Sequence, residues 1–290
     1  MQKLTHLTDD WQYWIQENLA RGCTPSSLID MMIKENFDPV FAGLSVYHMS
    51  GGGMAQGAVA APGARVEPAG YVYETPRLPQ TGNVIHTADR DVRISFRLSQ
   101  PVVAVFDDLM SHDECDELIR LSSIKLKRST TVDPLTGKEQ VIDDRSSYGT
   151  FFAINENDFI ARLDRRIADV MHWPLENGEG IQILNYKIGG EYKTHFDYFP
   201  PGDPGSHLHI ANGGQRVSTL IMYLNDVEAG GETIFPSINL SIVPKKGSAV
   251  YFEYCNSKSQ VDPLTLHGGV PVVAGEKWIA TKWMRQRRYG

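Results

Sequence analysis

The stretch IQILNYKIGGEYKTHFDYF, residues 181–199, does most to decide the fold class. Its first seven residues are rich in Ile, Leu and Tyr, a composition that favours a short β-strand, and two glycines follow it. Side chains two positions apart on a strand point to the same face, so His195 and Asp197 would project together while Phe196 faces away. The stretch therefore predicts strands that present a His-x-Asp pattern on one side.

Short segments of similar composition recur along the chain, at residues 101–106, 216–224, 240–243, 247–253 and 277–283. Two helices interrupt them. Ser111 and Glu114 form a capping-box pattern that opens the first helix. The second helix has an apolar stripe, made by Ile160, Leu163, Ile167, Val170 and Met171. Many short strands with few helices predict a mainly β fold with flanking helices, either a sandwich or a jelly roll.

The N-terminal quarter of the chain differs in composition from the rest. Large apolar residues recur there at the helical period, at Trp11, Trp14, Ile15 and Leu19, and predict an N-terminal helical region over residues 1–50. Residues 51–70 are rich in Gly, Ala and Pro, which predicts a flexible linker. A glycine-rich nucleotide loop is the alternative, but no GxxxxGK[ST] motif follows. Residues 71–290 would form one large domain.

The bulk composition excludes several classes of protein. The formal net charge is −7, and an acidic chain is a poor general binder of nucleic acid, because phosphate binding requires a cationic surface. We interpret Arg285, Arg287 and Arg288 as a solvated tail. Three widely spaced cysteines argue against a disulfide framework and fit a reducing compartment. No apolar signal region or membrane-spanning run is visible, so we expect a cytoplasmic protein without membrane association.

A third metal-ligand candidate, His267, lies far from the His-x-Asp pattern in the segment LTLHGG, residues 264–269. Small residues after it would let the chain pass close to a ligand. Two histidines and one carboxylate leave coordination positions open and suit non-haem Fe(II). A His-x-Asp pattern is common by chance, and the alternative for His195 is a hydrogen-bonded core histidine.

Lys277 favours the metal interpretation. It follows His267 by ten residues, and residues 269–275 predict a hairpin turn that would return it to the same wall of the barrel. A buried ammonium without an anion is very unfavourable, so a lysine aimed into the barrel suggests an anionic ligand. A dicarboxylate fits, with one end on the metal and the other paired with Lys277.

Four segments make the sequence recognisable: LNYKIGGEYKTHFDYF (184–199), GGQRVSTLIMYLNDVEAGGETIFP (213–236), PKKGSAVYF (244–252) and LHGGVPVVAGEKWIATKWMR (266–285). In these segments the sequence resembles the prolyl 4-hydroxylase family of 2-oxoglutarate dioxygenases, in its bacterial form. The resemblance implies a double-stranded β-helix (jelly-roll) core.

The resemblance also implies a role for individual residues around the metal. The implied iron ligands are His195, Asp197 and His267. Lys277 would bind the C5 carboxylate of 2-oxoglutarate, helped by the hydroxyls of Tyr186 and Thr233. Two alternatives stay open: Tyr186 as an ordinary strand residue, and Thr233 as a turn residue beside the preceding glycine pair.

Five further residues are implied in substrate binding. Tyr192, Arg216 and Trp283 match positions that line the peptide groove of the family, with plain packing as the alternative. Arg145 and Ser147 match a segment that folds over the substrate. Two long loops, residues 125–147 and 198–215, have the composition of lids. His207 and His209 lie in the second loop and are interpreted as part of a mobile flap, not as ligands.

The resemblance implies an Fe(II)- and 2-oxoglutarate-dependent dioxygenase that hydroxylates a prolyl residue at its 4-position. The substrate would be a proline-containing protein or peptide, O2 the oxidant, ascorbate the reductant, and succinate and CO2 the co-products. One alternative is a dioxygenase for another side chain, a free amino acid or a small metabolite. Others are a non-catalytic peptide-binding jelly-roll module and a zinc hydrolase. The oligomeric state does not follow from the sequence.

Overall fold

The computed structural model describes residues 3–21, 23, 25–47, 49, 70–133, 135–140 and 144–290. The predicted linker, residues 51–70, lies outside the described residues except for Gly70. Contacts divide the chain into two compact units, Met1–Val66 and Glu67–Gly290. No helix in the described ranges is long and apolar enough to cross a membrane.

The described residues of the first unit form three α-helices: α1 (Asp9–Ala20), α2 (Pro25–Lys34) and α3 (Pro39–Tyr47). The Thr8 hydroxyl caps α1 by accepting a hydrogen bond from the backbone amide of Trp11, as an N-cap threonine does. Apolar side chains from all three helices and the turns between them form a small separate core: Ile15, Leu28, Met32, Phe37, Ala42 and Val46. The unit therefore has its own hydrophobic centre. Of the four apolar residues predicted from the helical period, Ile15 lies in this core, while Trp11, Trp14 and Leu19 are partly buried and pack against it.

The second unit is mostly strands. In chain order they are β1 (Val84–His86), β2 (Asp91–Ser99), β3 (Val102–Asp107), β4 (Lys127–Arg128), β5 (Thr131–Val132), β6 (Glu139–Gln140), β7 (Tyr148–Phe152), β8 (Ile181–Tyr186), β9 (Tyr192–His195), β10 (Arg216–Tyr223), β11 (Ala229–Gly230), β12 (Thr233–Phe235), β13 (Leu240–Ile242), β14 (Ala249–Glu253), β15 (His267–Gly269), β16 (Val272–Ala274) and β17 (Lys277–Arg285). Among the described residues, three α-helices accompany them: α4 (His112–Ser123), α5 (Asp158–Met171) and α6 (Ser206–Ala211). There are also short 3-10 helices at Leu175–Asn177, Pro236–Ile238 and Pro263–Thr265.

Antiparallel pairing organises these strands into two main sheets. A nine-stranded sheet has the order β1-β2-β3-β14-β10-β17-β8-β7-β4, and a four-stranded sheet has the order β13-β12-β15-β9. The central strands of the large sheet, β8, β10, β14 and β17, are buried along almost their whole length. The mainly β jelly-roll fold predicted from the sequence is confirmed.

The helices of the second unit follow local sequence signals. In α4 the Ser111 hydroxyl accepts from the Glu114 amide at 3.1 Å, and the Glu114 carboxylate accepts from the Ser111 amide at 2.9 Å, which confirms the capping box. The predicted apolar stripe of α5 is fully buried. Both helices therefore pack as their sequences indicate.

The connection between His267 and Lys277 differs from the predicted hairpin. His267 begins β15, which pairs with β9 and β12, whereas Lys277 begins β17, which pairs with β8 and β10. Between them, β16 pairs with β11, where Gly230 has φ +74° and a Cβ would lie 2.3 Å from the carbonyl oxygen of Pro271. The chain thus leaves one sheet before it enters the other, and the prediction that both residues share one wall is wrong.

Candidate metal centre and its pocket

The three predicted metal ligands converge at the β9–β15 edge of the four-stranded sheet. His195 and His267 are direct partners in the antiparallel register of β9 and β15. Asp197 lies just beyond β9. Its Oδ1 atom lies 3.6 Å from Nε2 of His195, and its Oδ2 atom lies 3.6 Å from Nε2 of His267. One ligand atom from each residue can be chosen so that all lie within 4.8 Å of one another. This spacing suits one metal ion held on one face.

Backbone carbonyls fix the orientation of both imidazoles. The Nδ1 atom of His195 lies 2.8 Å from the carbonyl oxygen of Lys193, and that of His267 lies 3.0 Å from the carbonyl oxygen of Thr265. Because a carbonyl can only accept, each Nδ1 must donate, which leaves the lone pair of each Nε2 free towards Asp197. Metal-binding histidines are commonly held in this way. The donor set therefore fits a divalent metal such as Fe(II).

Two residues that the sequence did not single out orient the Asp197 carboxylate. The Thr219 hydroxyl donates to Asp197 Oδ2 at 2.7 Å, and the Tyr254 hydroxyl lies 2.9 Å from Thr219 Oγ1. Since the Thr219 proton is already engaged, Tyr254 donates to Thr219. All of these groups are buried, so the relay restricts rotation of the carboxylate. Thr219 on β10 and Tyr254 just after β14 reach the site from the large sheet.

The electrostatics of the site favour the metal-binding protonation state. Burial, reinforced by the neighbouring His195, lowers the pKa of His267 to about 4. Burial alone would raise the pKa of Asp197, but the two imidazoles and Arg216 outweigh it and hold that pKa well below its usual range. At neutral pH His267 is therefore neutral and Asp197 is ionised, the forms that bind a metal.

We expect Thr219→Val to weaken Fe(II) binding by about tenfold, the lower end of the range for losing a group that orients a ligand. Valine keeps the shape of threonine but removes the proton donated to Asp197. Ser218→Ala is the matched control, since Ser218 is equally buried but points to the opposite face of β10. Calorimetric titration with Fe(II) under anaerobic conditions measures both variants. Equal affinities would show that the relay does not orient the carboxylate.

The candidate ligands open into a cavity of about 570 Å³ that extends between the two sheets. Lys277 lies in this cavity, buried, with Nζ 5.7 Å from the ring centre of Tyr186 and 6.0 Å from that of Tyr223. Across from it, a Cβ on Gly269 would lie 3.4 Å from Nζ, so the missing side chain leaves the ammonium accessible from the cavity. Lys277 therefore reaches the site from the sheet that faces His267.

The ammonium of Lys277 has no ion-pair partner among the described residues. Burial lowers the pKa of Lys277 to about 8, with Glu232 opposing the effect. Thr233 is also buried in the cavity wall, where its hydroxyl accepts a hydrogen bond from Tyr223 at 2.8 Å. A buried, unneutralised ammonium in a cavity that Thr233 also lines is a suitable receptor for one carboxylate of a dicarboxylate.

Aromatic and guanidinium groups line the cavity beside the candidate ligands. The Tyr192 ring stacks on the His195 ring with centres 3.6 Å apart, and the Arg145 guanidinium lies 4.8 Å from the centre of Tyr192. On the other side, the Arg216 guanidinium lies 4.0 Å from the ring centre of Trp283. The structure thus brings these four predicted substrate residues to the same cavity.

Ser147 occupies a different position. Its side chain is fully buried, donates a hydrogen bond to Ser129 at 2.9 Å and is not among the residues that line the cavity. Arg145, two residues earlier, is held in the wall by hydrogen bonds to the Thr130 carbonyl and the Gln182 side chain, at 2.8 and 2.9 Å. The segment that was predicted to fold over a substrate therefore forms part of the wall.

Glu179, which the sequence did not single out, links two arginines in the lining of the cavity. Its carboxylate accepts from Nε of Arg216 and from Nε of Arg285, each at 2.6 Å. These two arginines outweigh the effect of burial and lower the pKa of Glu179. Arg285 is only 2% exposed, so its assignment to a solvated tail is wrong; Arg287 and Arg288 are exposed as predicted. A short C-terminal charge run gave no indication that one member was buried.

The two predicted lid loops contain regular structure and contact each other. The first includes the β5–β6 hairpin, and the second includes α6. His209 of α6 donates from Nε2 to the carbonyl oxygen of Gly137 at 2.9 Å, and its ring stacks on Phe199. His209 therefore connects the loops, in agreement with its exclusion from the ligand set, while movement of the loops stays a prediction.

Comparisons with known proteins agree with this geometry. Residues 181–285 match the model of the 2OG-Fe(II) oxygenase superfamily. A probable prolyl 4-hydroxylase 10 of Arabidopsis thaliana is 38% identical over 209 residues, which cover 66% of this chain and 71% of the relative. Prolyl 4-hydroxylase 1 of the same plant is 40% identical over 202 residues, covering 64% and 70%.

A solved structure is similar as well. It is the viral collagen prolyl hydroxylase of Paramecium Bursaria Chlorella virus-1 in complex with 2OG. The TM-score is 0.50 at 30% sequence identity, and the match covers 63% of this chain and 95% of the viral protein.

Proposed function

The chain belongs to the prolyl 4-hydroxylase family of 2OG-Fe(II) oxygenases, and we propose on this premise that it hydroxylates prolyl residues at the 4-position in a protein or peptide. The reaction consumes 2-oxoglutarate and O2 and releases succinate and CO2. One observation carries the proposal: His195, Asp197 and His267 converge at one end of a cavity in which the buried ammonium of Lys277 has no carboxylate partner among the described residues. A metal and a dicarboxylate satisfy both features together.

The residues of the chain have separable tasks. His195, Asp197 and His267 would hold Fe(II), which together with 2-oxoglutarate and O2 supplies the oxidising chemistry. Lys277 binds the distal carboxylate of 2-oxoglutarate and so orients the molecule between the two sheets. Tyr186 lies directly opposite Lys277 in the β8–β17 register and contributes a wall of the same compartment. The protein thus supplies ligand geometry, orientation and a cavity in which the cosubstrate is held.

The lining of the outer cavity supports a proline-containing peptide as substrate. Tyr192, Phe199 and Trp283 present aromatic surfaces there, and aromatic-lined grooves bind the extended conformation that proline favours. Proline limits its own backbone freedom, so less entropy is lost when such a peptide becomes ordered. The relatives named above as prolyl hydroxylases support the same substrate class. The bacterial form of the family stays a prediction, because these relatives come from a plant and a virus.

The direct test measures two products. Purified protein is incubated with Fe(II), ascorbate, 2-oxoglutarate and a proline-rich peptide, and a peptide with every proline replaced by alanine is the control. We expect succinate and a peptide heavier by one oxygen atom, with hydroxyproline located by fragmentation, only in the proline-containing reaction. Succinate formation stimulated by free amino acids, with every proline peptide left unmodified, would transfer the assignment to a small-molecule substrate.

The affinity for 2-oxoglutarate should depend on pH through Lys277. In the free enzyme the pKa of Lys277 is about 8, so the ammonium is present below that pH and is lost above it. Binding a carboxylate requires the charged form, so the apparent affinity should fall by up to about tenfold per pH unit above pH 8. Titrations with 2-oxoglutarate from about pH 6.5 to about pH 9.5 measure the slope, because this range extends roughly 1.5 units to either side of the pKa. The variant Lys277→Met should show no such slope in the same range.

A further inference from the structure

An irregular segment at the start of the second unit lies against the loop that precedes His267. Residues 71–76 form no strand, and side-chain hydrogen bonds hold them in place. The Val72 carbonyl accepts from the Asn256 side chain at 3.0 Å, and the Val72 amide donates to the Gln260 side chain at 3.3 Å. Further along, Arg77 forms an ion pair with Glu253 at 2.8 Å. We name residues 70–78 the strap.

One side chain of the strap donates a hydrogen bond to a buried carboxylate. Tyr73 of the strap donates from its hydroxyl to Asp262 Oδ2 at 2.8 Å. Asp262 is 0% exposed, and its other oxygen accepts from the Leu264 amide at 2.9 Å. Asp262 is thereby the N-cap of the short 3-10 helix Pro263–Thr265, which leads directly into β15. The two oxygens therefore connect the strap to the turn before His267.

The same turn fixes the imidazole of His267. The Thr265 hydroxyl donates to the Asp262 carbonyl at 2.7 Å, and the Thr265 carbonyl accepts from Nδ1 of His267 at 3.0 Å. The position of that carbonyl sets the direction in which Nε2 of His267 points, which is towards Asp197. A displacement of the 3-10 helix would therefore rotate or shift the distal metal ligand.

We propose that Tyr73 and Asp262 are positioning residues that fix the distal ligand His267 for metal binding through the turn Pro263–Thr265. The inference rests on the proposed iron site and assigns to the strap a task that the catalytic motifs do not include. Neither residue lines the cavity, so their effect on the metal must be indirect. The strap is then a structural requirement of the metal site. It comes from a distant part of the chain, since Tyr73 and Asp262 are 189 residues apart.

The test measures metal affinity without turnover. Tyr73→Phe removes only the hydroxyl that reaches Asp262. Tyr71→Phe is the matched control, because Tyr71 lies in the same strap in edge contact with Tyr73 but its hydroxyl is not a hydrogen-bond partner of Asp262. We expect Tyr73→Phe to weaken Fe(II) binding by about tenfold in anaerobic calorimetric titration, within the range known for residues behind a metal ligand. Tyr71→Phe should bind as the unmodified protein does.

Two further measurements separate positioning from general destabilisation. With Co(II) in place of Fe(II), the visible absorption spectrum should change in Tyr73→Phe, because it reports the ligand geometry directly. Asp262→Asn should weaken metal binding as well, and the double variant should bind no more weakly than Asp262→Asn alone, since both changes break one chain of contacts. These readouts would not move if the strap only stabilised the fold.

The outcomes separate a failure of the positioning role from a failure of the iron site. If the unmodified protein binds Fe(II) and Tyr73→Phe binds it equally tightly with an unchanged Co(II) spectrum, the positioning role is overturned and the iron site stands. If the unmodified protein binds no Fe(II), the proposed function fails and the positioning role fails with it.

Discussion

Replacing Asp197 by alanine is expected to abolish hydroxylation and the accompanying formation of succinate. Asp197 is the only carboxylate in the candidate ligand set, and without it two neutral imidazoles must hold a dication in a buried site. A loss of about 4 kcal/mol or more of transition-state stabilisation lowers the rate at least about a thousandfold. Succinate release in the presence of a proline-rich peptide measures the effect, and Fe(II) titration should show lost affinity in parallel.

The control for this change removes a carboxylate outside the cavity. Asp226 follows β10 at an exposed position, where it accepts a hydrogen bond from the Lys246 amide at 2.8 Å. Asp226→Ala should retain both turnover and metal affinity. Melting curves of the metal-free proteins show whether the Asp197 variant is folded. A folded Asp197→Ala protein that keeps its activity would mean that the ligand set is misassigned.

The sequence predicted the features that depend on neighbouring residues. The capping box of Ser111 and Glu114 and the stripe of α5 involve residues three or four apart, so local spacing determines them. The strand segment 181–187 became β8 nearly as predicted. The His-x-Asp pattern also placed two ligands together, although β9 ends at His195 and Asp197 lies just beyond it.

Features that depend on distant partners could not be predicted in the same way. Arg285 and Glu179 are 106 residues apart, and the residues near Arg285 in sequence do not indicate that it pairs with a buried carboxylate. Thr219 is 22 residues from Asp197 and 35 from Tyr254, in a strand where any small polar residue would be compatible with the pattern. Hydrogen bonds of this kind depend on which distant strands pair, and that pairing is determined by the whole sequence and not by any local pattern.

The hairpin predicted between His267 and Lys277 shows the same limit. The nine residues between them include three glycines and a proline, and are compatible with a tight return within one sheet. They are equally compatible with a crossing, and the pairing of β16 with β11 decides for the crossing. In either arrangement Lys277 can place its ammonium in the cavity, and the structure places it there from the large sheet.

Replacing Lys277 by methionine is expected to weaken 2-oxoglutarate binding by on the order of 100-fold, or about 3 kcal/mol, as when one partner of a buried charge pair is removed. Methionine approximates the length of the lysine side chain but offers no charge to the distal carboxylate. At saturating 2-oxoglutarate the turnover should recover more than the affinity does, because the metal ligands are intact. Titration followed by the absorbance of the metal complex measures the affinity.

The matched control for this change is another lysine close by. Lys187 follows β8 and pairs with Glu276, but its side chain is 66% exposed and lies outside the cavity lining. Lys187→Met should bind 2-oxoglutarate as the unmodified protein does. An unchanged affinity in Lys277→Met would remove Lys277 from the cosubstrate site and leave the iron ligands unaffected.

The same Lys277→Met variant should be more stable than the unmodified protein when no ligand is bound. Burial lowers the pKa of Lys277 from 10.5 to about 8, which corresponds to about 3 kcal/mol of lost folding stability at pH 7. Below pH 8 the lysine is charged in both the folded and the unfolded chain, so methionine should relieve the whole penalty. Between pH 8 and 10.5 the folded protein sheds the proton first, and the gain should shrink to nothing.

Calorimetric melting at several pH values, with and without Fe(II) and 2-oxoglutarate, tests whether Lys277→Met gains stability while it loses affinity for the cosubstrate. Ligands should raise the melting temperature of the unmodified protein more than that of Lys277→Met, because only the former gains a charge pair on binding. A variant that is less stable at every pH would show that the ammonium already has a satisfying partner before the ligand arrives. The opposing changes in stability and affinity would identify Lys277 as a group retained for binding at the expense of the fold, which is how stability and function commonly conflict at active sites.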